Sequence, residues 1–237
     1  MENTSLSQRA YVEIRQRLRD GSLKPGMRLV NRSVAAELGI STIPVREAIS
    51  RLVSEGLLAA APGAGAYVRQ ADAEELNELY DVRTALEVLA AGEAARYANE
   101  HLLADLKGIC GHLAAIAKAI PANRNATPAQ LGDWLEGEIA FHSRVVRASR
   151  NRWLVKVTGD LGVISQIFTM RQTPPKVLTG KLATATQRQH EELIDILARH
   201  DVEGARAWMT EHIRRGRTVV LGHLALGKPV ESSQVMP

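Results

Sequence analysis

The chain has 237 residues, of which 45% are hydrophobic and only 4% aromatic, so its cores are expected to consist of aliphatic side chains in packed helices. A single cysteine, Cys110, excludes an intramolecular disulfide, and no apolar run reaches the ~18 residues that a membrane helix requires. The first residues lack the apolar core of a secretory signal, and we expect a soluble, cytoplasmic protein with a buried, inert thiol.

Charge is unevenly distributed along the chain. Residues 1–70 hold ten basic and six acidic side chains, which accounts for the whole net charge of +4, whereas the remaining residues hold twenty of each sign. An excess of positive charge confined to one segment is typical of a module that binds phosphate groups.

The first seventy residues show the pattern of a helix-turn-helix followed by a β-hairpin. A helix is predicted over residues 7–20, ending at Gly21, and a second one is capped by Asn31 and ends before Gly39. A third helix is predicted to be capped by Ser41 or Thr42 and to place an arginine on its outer face. Residues 56–61 and 66–69, with a turn at 62–65 between them, then predict a small hairpin, the wing. On pattern alone, a helix pair with a purely structural role remains the alternative.

A resemblance favours DNA binding. Segments 25–26, 38–41, 44–49, 55–57 and 65–68, which read PG, LGIS, PVREAI, EGL and GAYV, resemble the winged helix of the GntR family. The resemblance implies that Arg46 contacts bases in the major groove, that Arg32 contacts a phosphate, and that Ser41, Thr42 and Gly65 belong to the same DNA-binding surface.

Two positions depart from the GntR pattern. Thr42 and Ala64 stand where the family usually has basic residues. Fewer cationic contacts predict weaker and less salt-dependent DNA binding, or a different operator.

The rest of the chain is predicted to be helical. Apolar residues recur at helical spacing in one long helix that begins near Asp72, and then over 101–119, 128–149, 152–172, 179–199 and 202–224. Because no strand-like alternation occurs, the architecture expected for residues 71–228 is an all-α bundle, followed by a flexible tail at 229–237.

Three of the seven histidines lie on apolar stripes of different predicted helices: His142, His190 and His212. Glu138 precedes His142 by four residues, so both side chains share one helix face. Three imidazoles and a carboxylate suit Zn²⁺, Mn²⁺, Ni²⁺ or Fe²⁺. The alternative is a set of separate core histidines, because sequence spacing alone does not bring the helices together.

This part of the chain also resembles a known domain. The segments EIAFH at 138–142 and SRN at 149–151, with His190 and His212, resemble FCD, the ligand-binding domain of the FadR-type branch of the GntR family. The resemblance implies a helical bundle over about 74–226, with a metal bound by Glu138, His142, His190 and His212. Glu138 stands where the family usually has Asp, which makes its role less certain than those of the histidines.

Two further residues have competing interpretations. The resemblance implies that Arg83 faces the pocket and pairs with an anionic group of an effector, but a salt bridge from Arg83 to Glu87 is an equal alternative. Asn151 is expected to cap the helix that follows it rather than to contact a ligand.

Together these features predict two domains, a winged helix-turn-helix over 1–70 and an effector-binding bundle over 71–228. The function predicted is that of a homodimeric repressor, released from a double-stranded DNA operator by a small organic acid bound at a divalent metal. Alternatives are a regulator that senses the metal itself, a purely structural metal, and a metal-dependent enzyme. We assign no catalytic residue, since the sequence has no nucleophile motif, phosphate-binding loop or cofactor fingerprint.

Overall fold

A computed structural model of the protein describes residues 5–61, 65–69, 72–159, 161 and 175–227. The described residues form two compact units. One contains those up to Asp72 together with those of 155–161, and the other contains those of 73–154 and 175–227. The predicted fold class, mainly helical with a small antiparallel sheet, is confirmed. Within the described part of the chain, none of the helices has the length and apolarity needed to cross a membrane.

Three helices form the core of the first unit. Helix α1 spans Leu6–Asp20, α2 spans Asn31–Leu38 and α3 spans Thr42–Ser54. Helix α3 packs against α1, and both helices have a buried apolar face: Tyr11, Ile14 and Leu18 on α1, and Val45, Ala48, Ile49 and Leu52 on α3. Helix α2 ends at Gly39 in the left-handed conformation (φ 65°), which produces the tight turn between α2 and α3.

The wing is part of a three-stranded sheet rather than an isolated hairpin. Strands β2 (Leu58–Ala61) and β3 (Gly65–Val68) pair antiparallel, and a two-residue strand β1 (Arg28–Leu29) pairs with the other edge of β3. The hairpin prediction therefore missed β1, because a two-residue strand is defined by its long-range partner and not by a local pattern.

Of the two predicted caps in this unit, Asn31 is wrong, whereas Ser41 lies at the predicted capping position of α3. Helix α2 begins at Asn31 itself, with Val30 in the capping position, and the buried Asn31 Oδ1 atom has no hydrogen-bond partner among the described residues. Ser41 occupies the capping position of α3, but its exposed side chain makes no capping hydrogen bond. Thr42 is the first residue of the helix and does not cap it.

The second unit is a helical bundle. Its helices are α4 (Ala73–Arg96), α5 (Glu100–Ala119), α6 (Pro128–Ala148), α8 (Gly180–Ala198) and α9 (Val202–Gly227), with a short 3₁₀ turn at Pro175–Val177 before α8. A helix α7 is described over 152–159. The rest of the predicted 152–172 helix, apart from residue 161, lies outside the described residues, as does the predicted tail.

Capping residues fix where the bundle helices begin. Asn99 accepts a hydrogen bond from the Leu102 N–H at 2.8 Å, and Thr127 forms a capping box with Gln130 at the start of α6. The Oδ1 atom of Asn151 accepts hydrogen bonds from the N–H groups of Trp153 and Leu154, at 3.0 and 3.2 Å. The predicted capping role of Asn151 is thereby confirmed.

Helix α4 runs along α6, α8 and α9, and α5 packs against α6 and α8. The main core between these helices is aliphatic apart from a few rings, and it is filled by Tyr80, Leu106, Phe141, Val145, Leu193, Met209 and Ile213. Small residues on α4, Ala91, Ala94 and Ala95, are fully buried and let the helices approach closely. The polar cluster described below lies beside this core.

Candidate metal centre and nucleic-acid interface

Four side chains from three helices converge in the bundle. Glu138 and His142 lie one turn apart on α6, His190 lies on α8 and His212 on α9. One ligand atom from each, a ring nitrogen or a carboxylate oxygen, lies within 4.8 Å of the others. The structure thus brings together all four residues that the sequence had nominated. We refer to Glu138, His142, His190 and His212 as the cage.

The cage is buried and compact. All three histidines are at most 9% exposed, and His190 is fully buried. The Nε2 atoms of His142 and His212 are 3.2 Å apart, and Nε2 of His190 is 3.7 Å from a carboxylate oxygen of Glu138. Side-chain donors from different helices at these separations can close around a single ion.

Several cage atoms lack the partners that buried polar groups normally have. Within the described residues, Glu138 Oε1 and both ring nitrogens of His190 are buried without a hydrogen bond. Burying an unpaired polar atom costs about 1–3 kcal/mol, so such atoms are uncommon unless something else satisfies them. The donor set and its unpaired atoms fit a divalent metal ion, which would take up one nitrogen of His190 and the free oxygen of Glu138.

Burial also controls ionisation in the cage. Desolvation raises the pKa of Glu138 from its usual 4.5 to about 8, although the positive charge of Arg83 opposes this shift. Desolvation and the charge of His142 lower the pKa of His190 to about 3, and burial likewise lowers the pKa of His212. The neutral imidazoles expected at these pKa values are in the form that binds metals.

Two residues that were not predicted from the sequence contact the Nδ1 atoms of His142 and His212. Glu87 on α4 lies with Oε2 2.5 Å from Nδ1 of His142, and Gln189 on α8 lies with Oε1 3.1 Å from Nδ1 of His212. The sequence could have indicated Glu87. It lies on the same buried helix face as Tyr80, Ala91 and Ala94, and a buried carboxylate requires a partner. Gln189 offered no comparable signal.

Arg83 donates from Nε to Glu87 Oε1 at 2.5 Å, which is the salt bridge that the sequence analysis had left as an alternative. Burial works against the charge on Glu87, but the charges of Arg83 and His142 lower the pKa of Glu87 to about 2. Glu87 is therefore an anion whose two oxygens contact one cation and one imidazole.

Aromatic rings shield the cage from water. Trp208 stacks on His212 with ring centroids 4.6 Å apart, and Phe141 lies 4.1 Å from the His190 ring. Three other histidines lie elsewhere: His101 and His112 are exposed, and His200 bonds to the Ala95 carbonyl at 2.9 Å. The side chain of His223 lies outside the described residues.

The residues predicted to contact DNA lie at the surface of the first unit. Arg32 on α2 and Ser41 and Arg46 at the start of α3 are exposed, whereas Thr42 is half-buried. Neither arginine has a hydrogen bond or an ion pair with any described residue, so both remain available to a ligand. Arg51, further along α3, instead forms a salt bridge with Glu55, with Nε 3.0 Å from Oε1.

Gly65 has a structural reason to be glycine that is independent of DNA. Its φ is +95°, and a Cβ at this position would lie 2.0 Å from the Leu29 carbonyl oxygen. Only glycine lets β3 start this close to β1. Ala64, the predicted departure in the wing, lies outside the described residues.

Comparison with known families matches both units. The sequence model described as "FCD domain" matches residues 78–215, and the model described as "Bacterial regulatory proteins, gntR family" matches residues 6–68.

Individual relatives are transcriptional regulators. McbR of Escherichia coli (strain K12) is 36% identical over 107 residues, which are 45% of this chain and 48% of that protein, so this match spans about half of McbR. LutR of Bacillus subtilis (strain 168) is 28% identical over 225 residues, covering 87% of this chain and 97% of LutR. The gluconate operon transcriptional repressor of the same strain is 23% identical over 85% of this chain and 75% of its own length.

Solved structures share the fold. E. coli McbR/YncC superposes with a TM-score of 0.75 at 23% identity, covering 92% of this chain and 98% of the McbR chain. Lar, which controls expression of the Listeria monocytogenes agr system, gives a TM-score of 0.60 at 16% identity over 96% of this chain and 100% of its own. At these identities the likeness concerns the fold alone.

Proposed function

Because the chain belongs to the gntR family of bacterial regulatory proteins, carries an FCD domain and is a transcriptional regulator rather than an enzyme, we propose that it represses transcription until a small carboxylate binds at a metal in the FCD bundle. The observation that carries this proposal is the buried cage with its unpaired carboxylate oxygen and its unpaired imidazole.

The metal proposed is a divalent ion, Zn²⁺, Ni²⁺, Mn²⁺ or Fe²⁺, held by Glu138, His142, His190 and His212. A bound ion of this kind would supply a Lewis-acid centre that attracts a carboxylate. Because four protein ligands leave two positions open on an octahedral ion, a carboxylate oxygen of the effector could occupy one of them. Phe141 and Trp208 would keep water away and so strengthen the attraction between the ion and the acid.

Arg83 is the proposed second contact of the effector. Its side chain is 28% exposed, and its salt bridge to Glu87 uses Nε. The terminal guanidinium nitrogens would then meet an anionic or hydroxyl group of the acid. The name of the gluconate operon repressor links one relative to a small hydroxy acid, which is consistent with an effector of this class.

The DNA-reading part of the proposal concerns α2 and α3. Arg46 is exposed near the N-terminus of α3 and would read bases in a major groove, and the exposed Arg32 would contact a phosphate. Ser41, Thr42 and Gly65 complete the proposed surface. A homodimer would present two such helices to the half-sites of an operator, and as a DNA-binding regulator the protein would act in the cytoplasm.

Release would follow from a change in the spacing of the two reading helices. Since half-sites must match the helical repeat of DNA, a shift of a few ångströms in the FCD domains would weaken binding to both half-sites at once.

A regulator that senses the metal itself is the second candidate. The observation in its favour is that Arg83 already pairs with Glu87, so the cage offers an acid fewer uncommitted cationic groups than a free arginine would. The two candidates differ in whether DNA release requires an organic acid.

The test is a fluorescence-anisotropy titration of the full-length protein on an operator obtained by in vitro selection. Protein stripped with a chelator, protein reloaded with Zn²⁺, and a His190→Ala variant are each titrated with a panel of small mono- and dicarboxylates. We expect one acid to release DNA only from the Zn²⁺-loaded wild type. Release by Zn²⁺ alone would favour the second candidate, and acid-driven release that is equal in stripped protein and in His190→Ala would refute the metal proposal.

A further inference from the structure

The cage histidines differ in how their outer ring nitrogens are held. Nδ1 of His142 meets Glu87 at 2.5 Å and Nδ1 of His212 meets Gln189 at 3.1 Å, whereas neither nitrogen of His190 has a partner among the described residues. The Nε2 atoms of the two held rings face each other across 3.2 Å. The contacts of Glu87 and Gln189 with the Nδ1 atoms therefore orient these two rings with Nε2 toward the cage.

Resting on the metal site proposed above, we propose that Glu87 is a positioning residue for that site. It accepts the Nδ1–H of His142, fixes the ring with Nε2 toward the other ligand atoms, and makes that nitrogen a stronger ligand. Glu87 itself lies behind the His142 ring, on the side opposite the cage, and does not contact the metal.

Burial and charge both suit Glu87 to this role. The carboxylate is 6% exposed and His142 is 7% exposed, so water does not compete for the contact. The second carboxylate oxygen is held by Arg83, so that Glu87 is fixed from two sides and cannot turn away from the imidazole. A carboxylate behind a metal-bound imidazole fixes its tautomer and raises its basicity, and removing such a partner typically weakens metal binding by about 10–100-fold.

A purely structural role for Glu87 is the competing explanation, because its salt bridge to Arg83 lies within α4. A matched control is available on the same helix. Glu93 is a half-buried glutamate paired with an arginine, Arg96, at 3.5 Å, and it has no hydrogen bond or ion pair with any histidine that the structure describes. Glu87→Gln and Glu93→Gln make the same chemical change, and only the first alters the partner of a cage ligand.

The experiment measures Zn²⁺ affinity by competition with a chelating dye, and Co²⁺ absorption as a report on ligand geometry, in the full-length wild type and in both variants. We expect Glu87→Gln to weaken Zn²⁺ binding by about 10–100-fold and to shift the Co²⁺ spectrum. Glu93→Gln should leave both unchanged. Unaltered Zn²⁺ affinity and Co²⁺ spectrum in folded Glu87→Gln would overturn the proposal, even if its thermal stability falls.

A second measurement needs no variant and holds if Glu87→Gln fails to fold. Nitrogen-15 NMR of the imidazole rings in the wild type should find the His142 Nδ1 protonated and hydrogen-bonded with or without Zn²⁺, and Nε2 bound to the metal when Zn²⁺ is present. A His142 that is unprotonated at Nδ1, or that binds Zn²⁺ through Nδ1, would overturn the proposal. A wild type that binds neither Zn²⁺ nor Co²⁺ would refute the metal site, and the Nδ1 result would still decide the contact with Glu87.

Discussion

Glu138→Gln should make the metal-free protein more stable while removing its ability to bind the metal. In the folded protein burial raises the pKa of this carboxyl from 4.5 to about 8, so between these values the folded state keeps a proton that the unfolded chain releases. Glutamine has nearly the same shape and carries no proton to lose. The variant therefore removes the pH-dependent loss of folding stability that ionisation of Glu138 causes, and it keeps the packing.

The size of this stability change follows from the difference between the pKa values of Glu138 in the folded and unfolded states. For a raised carboxyl pKa, the native state is most favoured below about pH 4.5 and loses stability as pH rises toward about 8. Each pH unit in this window costs about 1.4 kcal/mol, so at about pH 7.5 the metal-free wild type is disfavoured by up to about 4 kcal/mol relative to its acid form. For a domain of this size, that difference corresponds to about 10 °C in Tm.

The assay is thermal unfolding of chelator-treated wild type, Glu138→Gln and Glu136→Gln over a series of pH values. Glu136 is exposed on the same helix, and its variant serves as the control. We expect Glu138→Gln to unfold about 10 °C higher than the wild type near pH 7.5, with the gap closing toward pH 4.5. Added Zn²⁺ should stabilise the wild type and the control but not Glu138→Gln. A Glu138→Gln variant that is less stable than the wild type, or a gap independent of pH, would refute the reasoning.

Three further predictions concern other parts of the chain. Arg46→Ala should relax sequence discrimination by about 1–3 kcal/mol in competition binding, whereas Arg32→Ala should weaken binding to all sequences alike and lower the salt slope by about 1; equal behaviour of the two variants would contradict their assigned roles. Gly65→Ala should destabilise the first unit by at least about 1–3 kcal/mol in denaturant unfolding, because its Cβ would lie 2.0 Å from the Leu29 carbonyl oxygen. Burial raises the pKa of Cys110 to about 12, so a thiol reagent should modify it only after unfolding, and rapid reaction in the native protein would contradict this.

Much of the fold could be predicted because its boundaries are local. Gly21 and Gly39 end their helices in the left-handed conformation, and Thr127 begins α6 with a capping box. Each of these signals is contained in a few neighbouring residues. Strand β1 was missed since its two residues become a strand only by pairing with β3, whose partner residues lie 37 and 39 positions further along the chain.

All four cage residues could be predicted, but the side chains that orient them could not, for a similar reason. His142, His190 and His212 each stood out as a polar residue on an apolar stripe, and Glu138 was marked by its spacing from His142. The side chains that orient them come from across the bundle: Glu87 reaches His142 over 55 positions of sequence. The predicted Asn31 cap is wrong because the helix starts one residue earlier than the capping pattern implies, which makes Asn31 the first helical residue and Val30 the capping residue.

The most direct test of the central claim is an anomalous-scattering measurement on crystals of the full-length protein grown with Zn²⁺, using data collected on both sides of the zinc absorption edge. We expect one strong peak inside the bundle, bonded to Glu138, His142, His190 and His212. An empty cage at full Zn²⁺ loading, or a peak bound elsewhere, would contradict the claim.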